Sequence, residues 1–146
     1  MLVHQILSQK RNATIWSVTP DTTVYAALEL MAEKNIGAVL VLQESRLAGI
    51  FSERDYARKG ILKGRASQHT LISDVMTGEV ITVETEQRIE ECMQIMSDRH
   101  IRHLPVTFKS ELVGIISIND IVTAIITEQR HQIHSLENYI SGGTYQ

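Results

Sequence analysis

The chain has 146 residues, 43% of them apolar, and a formal charge of −3, which suits one compact domain and lacks the basic patch of a nucleic-acid binder. Its single cysteine, Cys92, excludes an internal disulfide framework and fits a reducing compartment. No run approaches the roughly 18 apolar residues of a membrane span, and Met1-Leu2-Val3-His4-Gln5 turns polar at once, unlike a secretory signal. A cytoplasmic location is expected, with neither membrane nor nucleic acid as partner.

The apolar pattern predicts a helical turn at His4–Leu7 and a short strand at Ile15–Val18. Pro20-Asp21-Thr22-Thr23 then offers capping groups to a helix over Val24–Asn35, with Val24, Ala27, Leu28 and Met31 on one face. Strands follow at Ala38–Leu42 and Leu47–Phe51, close enough for a hairpin, and a second helix is expected over Arg54–Leu62. The same order then returns: a turn at Ser73–Met76, a strand at Val80–Val83, capping groups in Glu84-Thr85-Glu86, a helix over Ile89–His100, strands at Leu104–Thr107 and Leu112–Ile116, and a helix from Asn119 onward. That last helix is predicted to continue through Ile133, Leu136 and Ile140 and to end at Ser141-Gly142-Gly143. Its partial apolar stripe suits either the module's own core or another subunit.

Val18–Lys59 aligns with Val83–Ala124 without a gap, 65 residues apart. Val18/Val83, Met31/Met96, Ile36/Ile101, Val41/Val106, Gly49/Gly114, Ser52/Ser117 and Asp55/Asp120 are identical, and most apolar positions stay apolar. A repeat this long is a duplicated half-domain rather than a solenoid unit. The expected layout is a first unit over 1–64, a polar linker over 65–70, a second unit over 71–128 and a helical extension and tail over 129–146.

Each unit closes its hairpin with Gly, two apolar residues, Ser, two variable residues and Asp, as Gly49–Asp55 and Gly114–Asp120. With Val18-Thr19-Pro20-Asp21-Thr22-Thr23-Val24 and Arg102-His103-Leu104-Pro105-Val106, this doubled pattern resembles a tandem pair of cystathionine β-synthase (CBS) domains, of the stand-alone bacterial type. The resemblance covers nearly the whole chain and leaves no room for an attached enzyme or transporter. It implies an α/β (α+β) fold of two pseudo-twofold-related β-α-β-β-α units packed through their sheets. It also implies a regulatory module that binds an adenosyl ligand (AMP, ADP, ATP, NAD(H) or S-adenosylmethionine) between the units, a homodimer, and an effector protein that reads a conformational change. The alternative is a structural or interaction protein with vestigial clefts.

By that resemblance Asp55 and Asp120 accept hydrogen bonds from ribose hydroxyls, with Ser52 and Ser117 near phosphate. The first cleft is expected to gather Ser52, Arg54, Asp55, Arg58, Ile81, Thr82, Val83, Arg102 and His103. The second is expected to gather Val18, Thr19, Gly37, Ala38, Ser117, Asn119 and Asp120. Arg102 and His103 would make the first cleft the phosphate-rich one, with small residues at their place in the second. The residues alone also allow a plainer use, because Ser-x-x-Asp is a helix N-cap pattern, and capping and binding are compatible. Arg58 and Lys59, one turn past Asp55, extend a phosphate site or are ordinary surface charges.

His100/His103 and His131/His134 are three apart, but neither pair has an acidic or cysteine partner at ligand spacing, so no metal is expected. Cys92 falls on an apolar helix face and reads as core. Trp16 reads as packing or as an adenine stacking platform. No Gly-x-Ser-x-Gly elbow, Walker loop or Gly-x-Gly-x-x-Gly occurs, and no nucleophile–base set is evident. No catalytic residue or catalytic cofactor is expected.

Overall fold

The computed structural model describes residues 1–10 and 14–141. In chain order the elements are α1 (Val3–Gln9), β1 (Ser17–Val18), α2 (Val24–Lys34), β2 (Ala38–Gln43), β3 (Arg46–Ser52) and α3 (Glu53–Asp55), then β4 (Val83–Glu84), α4 (Ile89–Arg99), β5 (His103–Phe108), β6 (Glu111–Ser117) and α5 (Ile118–Ser141). Two three-stranded sheets result, β1-β2-β3 and β4-β5-β6, each with one parallel and one antiparallel pairing. This is the mixed α+β pair of units that the repeat predicts. The registers match: Gly49 lies opposite Val41 and Gly114 opposite Val106, each beside a register shift. Both hairpins turn through two non-glycine residues with positive φ, Glu44-Ser45 and Lys109-Ser110, the conformation that fits the twist of paired strands.

The predicted helix ends need small corrections. Thr23 Oγ1 caps α2 by accepting from Ala26 N, and Asn35, left-handed at φ 54°, ends it. The predicted cap in Glu84-Thr85-Glu86 is not used. The cap of α4 is Arg88, without a side-chain bond, and Gln87 Oε1 instead accepts from Glu84 N at 3.0 Å. The helix predicted over Arg54–Leu62 is only the turn α3, continued by a π-helical turn over Tyr56–Gly60 and a 3₁₀ turn over Ile61–Lys63. Gly60 is buried against the Tyr56 ring, where a Cβ would lie 3.2 Å from Tyr56 Cδ1.

The two cores are closed by exchange. Val3 and Ile6 of α1 pack with Val83, Ile89, Cys92, Leu104, Ile116 and Ile121, which belong to the second sheet and its helices. Ile72 and Val75, which follow the linker, pack with Val39, Val41 and Phe51 of the first sheet and with Val24 of α2. Backbone bonds fasten both ends of the exchange: Val3 N to Gln87 O and His4 N to Thr85 O at 2.9 Å, Val24 N to Thr70 O and Ile72 N to Thr22 O at 2.8 Å. The opening segment of each repeat thus completes the other repeat's core. Cys92 is buried there, and desolvation pushes its thiol up to about 11, so it is neither reactive nor a ligand.

The exchange also explains the motif glycines. A Cβ at Gly49 would meet Met76 Sδ at 2.7 Å and Thr77 O at 2.8 Å, and one at Gly114 would meet Leu7 Cδ2 at 2.8 Å. In both places the incoming segment crosses directly over the strand. In the first unit it does so as an added bridge, with Ile50 and Thr77 exchanging bonds of 3.0 and 2.8 Å.

The last helix, α5, buries Ile121 and Ala124 and half-buries Ile125 on the body, and every residue from Ile126 to Ser141 is exposed. The stripe beyond Ile125 therefore does not cover the protein's own core. Its predicted end at Ser141-Gly142-Gly143 runs outside the described residues. No helix among the described residues is long and apolar enough to cross a membrane.

Candidate functional site

Each unit ends its hairpin in a Ser whose hydroxyl caps the next helical turn. Ser52 Oγ accepts from Asp55 N at 3.2 Å while Asp55 Oδ2 accepts from Ser52 N at 3.0 Å. Ser117 and Asp120 repeat this at 3.1 and 2.9 Å. Capping is therefore real at both motifs, and it fixes each carboxylate at a helix start beside a cleft. The backbone of each start is anchored alike, Glu53 N donating to Gly37 O and Ile118 N to Arg102 O.

The first cleft has a volume of about 560 Å³ and is lined by Ser52, Arg54, Asp55, Arg58, Ile81, Arg102 and His103 from the predicted set. Thr82 and Val83 do not line it. Strand alternation turns Val83 into the core, where it is 1% exposed. The cleft also takes in Gly37, Ile50, Glu53, Thr77, Glu79, Val80, Arg99, His100 and Ile101, which the sequence does not assign to it, and Lys59, one of the two cations that the sequence leaves open between phosphate site and surface charge. Thr77 and Glu79 come from the exchanged segment, which no periodicity assigns to a cleft.

The second cleft, about 520 Å³, holds Gly37, Ala38, Ser117, Asn119 and Asp120 as predicted, but not Val18 or Thr19. It adds Lys10, Thr14, Trp16, Lys34, Arg102 and His103 among others. Arg102 and His103 thus face both clefts, which corrects the expectation that they belong to the first alone. Five cations stand against three carboxylates in the first cleft and three against one in the second, so the charge excess is equal. Trp16 sits at the second cleft with Lys34 Nζ 4.5 Å from its ring centroid, and its buried Nε1 has no partner among the described residues. One ring face is therefore already covered by a cation.

The clefts differ in what their carboxylates have left to offer. Asp55 Oδ2 accepts from Ser52 N and Ser52 Oγ, and Oδ1 accepts from Thr77 Oγ1 at 3.1 Å and faces Lys59 Nζ at 3.4 Å. A carboxylate has about four lone-pair sites, so Asp55 is saturated. Asp120 takes Ser117 N and Lys10 Nζ (3.0 Å) on Oδ2, and Oδ1 has no partner among the described residues. Lys10 also donates to Ile115 O at 2.8 Å, which ties the exchanged segment to β6. The first cleft instead has free cations. Arg54 is held by His100 O at 2.9 Å, but Arg58, Arg99 and Arg102 make no side-chain hydrogen bond or ion pair with any described residue.

Burial lowers the His103 pKa below its ordinary 6.5, with Lys10 and Arg102 adding to the effect and Asp120 opposing it. The folded state then resists a proton that the unfolded state accepts. Stability is expected to hold above pH 6.5 and to fall as pH drops through that value. Thermal unfolding of the protein and of His103→Asn on either side of pH 6.5 checks this, with a flatter profile expected for the variant. An anion bound beside His103 reverses the sign locally, so binding near that pH is expected to take up protons. Calorimetry in buffers of different ionisation enthalpy reads that uptake.

Among the described residues no three His, Cys, Asp or Glu side chains converge on a metal-sized site. His100 is the left-handed cap of α4 and His103 opens β5, while His131 and His134 stand exposed on α5.

Comparison with known proteins places these two clefts in context. The family model described as "CBS domain" matches residues 11–61 and again 72–127. The CBS domain-containing protein CBSX3, mitochondrial, of Arabidopsis thaliana is 42% identical over 134 residues, which is 88% of this chain and 65% of the relative's length. The CBS domain-containing protein YhcV of Bacillus subtilis (strain 168) is 33% identical over 105 residues, 72% of this chain and 74% of its own. A solved protein with CBS domains from Burkholderia ambifaria MC40-6 superposes with a TM-score of 0.86 at 46% identity, covering 88% of this chain and 96% of that one.

Proposed function

The chain belongs to the CBS-domain family, as a tandem pair, and from that premise we propose that it is a non-catalytic regulatory module sensing an adenine nucleotide. AMP, ADP, ATP or NAD(H) is the ligand, held between the two repeats. The observation that carries this reading is the set of three unengaged guanidiniums, Arg58, Arg99 and Arg102, at a cleft that also holds a helix-start Ser-x-x-Asp. Guanidinium suits phosphate because its rigid fork gives paired, charge-assisted bonds. The phosphate-rich ligand goes to the first cleft, with Ser52, Arg54 and Asp55 at the ribose-phosphate end. The second cleft, with Asp120 Oδ1 open, suits a ligand anchored by its ribose.

The signal follows from the cross-repeat bonds. Thr77 to Asp55 and Lys10 to Asp120 link each exchanged segment to a cleft carboxylate. A ligand that takes over either carboxylate shifts the balance between two poses, through its differential affinity for them. A cytoplasmic homodimer acting on an effector protein completes the reading.

A second reading, vestigial clefts in an interaction protein, has one observation on its side: Asp55 is fully used within the protein. A thermal-shift panel of AMP, ADP, ATP, NAD, NADH and S-adenosylmethionine separates the two. Ligand at a hundredfold excess over Kd stabilises by about 2.7 kcal/mol, or a rise of about 5–10 °C for a chain of this size. Absence of any shift across the panel favours the second reading.

A further inference from the structure

The free part of α5 carries a seam of its own. Ile126, Ile133 and Ile140 recur every seven residues, and Gln129 and Leu136 fall three residues after the first two of them. In heptad terms isoleucine holds every a position, and the d positions hold one glutamine and one leucine. Ile133, Leu136 and Ile140 are 56%, 61% and 70% exposed. The body-facing residues Ile121 and Ala124 lie on another side of the helix, so the seam is not a continuation of the core. A stretch of sixteen residues, 126–141, stands clear of the protein's own body, with the seam residues uncovered.

We propose that this seam pairs with the same helix of a second copy, parallel and in register. The proposal rests on the homodimer reading above and names its surface. Isoleucine at every a position, with leucine at one of the two d positions, follows the two-stranded parallel pattern in part, and Gln129 is its single polar core residue. The charges flanking the seam agree with self-pairing. Arg130 faces Ile125 of the partner and Glu137 faces the partner's Gln132, so no like charges meet. Neither Arg130 nor Glu137 has an ion pair among the described residues.

Gln129 decides the orientation. In a parallel pair it meets the partner's Gln129, and the two amides bond to each other. In an antiparallel pair each a residue meets a d residue, so Gln129 always faces an isoleucine. That leaves two amides against apolar side chains without a partner, which is costly for a buried polar group. The reward for reversal is at most a pair of exposed Arg130–Glu137 contacts, which water and salt screen. The buried amide outweighs the surface charge, and only the parallel pair covers Ile126 along with Ile133, Leu136 and Ile140.

Sedimentation equilibrium of the full chain in the tens of micromolar tests the surface. The unaltered protein is expected at twice the mass of Leu136→Lys, a substitution at an exposed position that leaves the body intact. Oxidative crosslinking tests the orientation. Ile140→Cys is expected to form an intersubunit disulfide, because parallel pairing brings the two positions face to face, whereas antiparallel layering separates them by about 16 Å or more at 1.5 Å per residue. Ser135→Cys, on the opposite side of the helix, is expected not to crosslink, and buried Cys92 does not compete. Equal crosslinking at 135 and 140, or none at 140, overturns the parallel seam. A dimer whose mass Leu136→Lys leaves unchanged overturns the helix surface but leaves the homodimer reading standing. A monomeric unaltered protein overturns both.

Discussion

Asp120→Ala is expected to weaken binding of a phosphate-poor adenosyl ligand by one to two orders of magnitude, and Asp55→Ala to weaken nucleotide binding by less than tenfold. The difference comes from the partners each carboxylate already has. Asp120 keeps Oδ1 open among the described residues, so a ribose diol gains its hydrogen bonds without breaking any. Bonds to a charged acceptor are worth about 1.5–3 kcal/mol, and each 1.4 kcal/mol is about tenfold in affinity. Asp55 must first give up Lys59, Thr77 or Ser52 Oγ, so a ligand there exchanges one partner for another. In that cleft the arginines, not the carboxylate, supply most of the attraction. Both variants lose the carboxylate half of a capping box while Ser52 and Ser117 remain as caps, so titration calorimetry is done well below either unfolding transition. Equal losses in the two variants would remove the asymmetry from the proposal.

The second large effect is on the fold. Gly49→Ala is expected to lower stability by about 2–3 kcal/mol, at the upper end of what one extra methyl costs in a packed site. Gly114→Ala is expected to cost less than about half of that. The two positions are the same in the repeat and equally tight, but they meet different atoms. At Gly49 the obstacle is the backbone oxygen of Thr77, held in a bridge with Ile50. At Gly114 it is the end of the Leu7 side chain, which can change rotamer. Thermal unfolding should show a drop of about 5–10 °C for the first and about 3 °C or less for the second. Equal drops would mean that the backbone bridge yields as easily as a side chain.

Much of this arrangement is legible in the chain itself. The repeat offset alone pairs Gly49 with Gly114 and Asp55 with Asp120, and the apolar runs on either side of each polar turn place β2, β3, β5 and β6 almost to the residue. The sequence does not reveal the exchange of α1 and the segment at Ile72–Val75, because apolar periodicity tells which residues are buried and not against what. Lys10 and Thr77 were missed as site residues for the same reason. The π-helical turn at Tyr56–Gly60 escaped because a pattern sought at 3.6 residues per turn does not detect a wider one. The family resemblance assigns Arg102 and His103 to one cleft, whereas at the start of β5 they face both. Val18 and Val83 failed as cleft residues on simple alternation, which sends them inward.

Vectorial synthesis meets this topology awkwardly. Chains usually fold from the N-terminal unit onward as they emerge, but here the first sheet lacks Ile72 and Val75 until the segment after the linker has been made. Helix α1, which precedes both sheets in the chain, has no place to dock until Ile116 and Ile121 arrive. Helix α1 therefore waits for β6 and α5, and neither half reaches a native core alone. Nascent chains paused within the linker should remain protease-sensitive throughout, with protection appearing in a single late step once α5 has emerged.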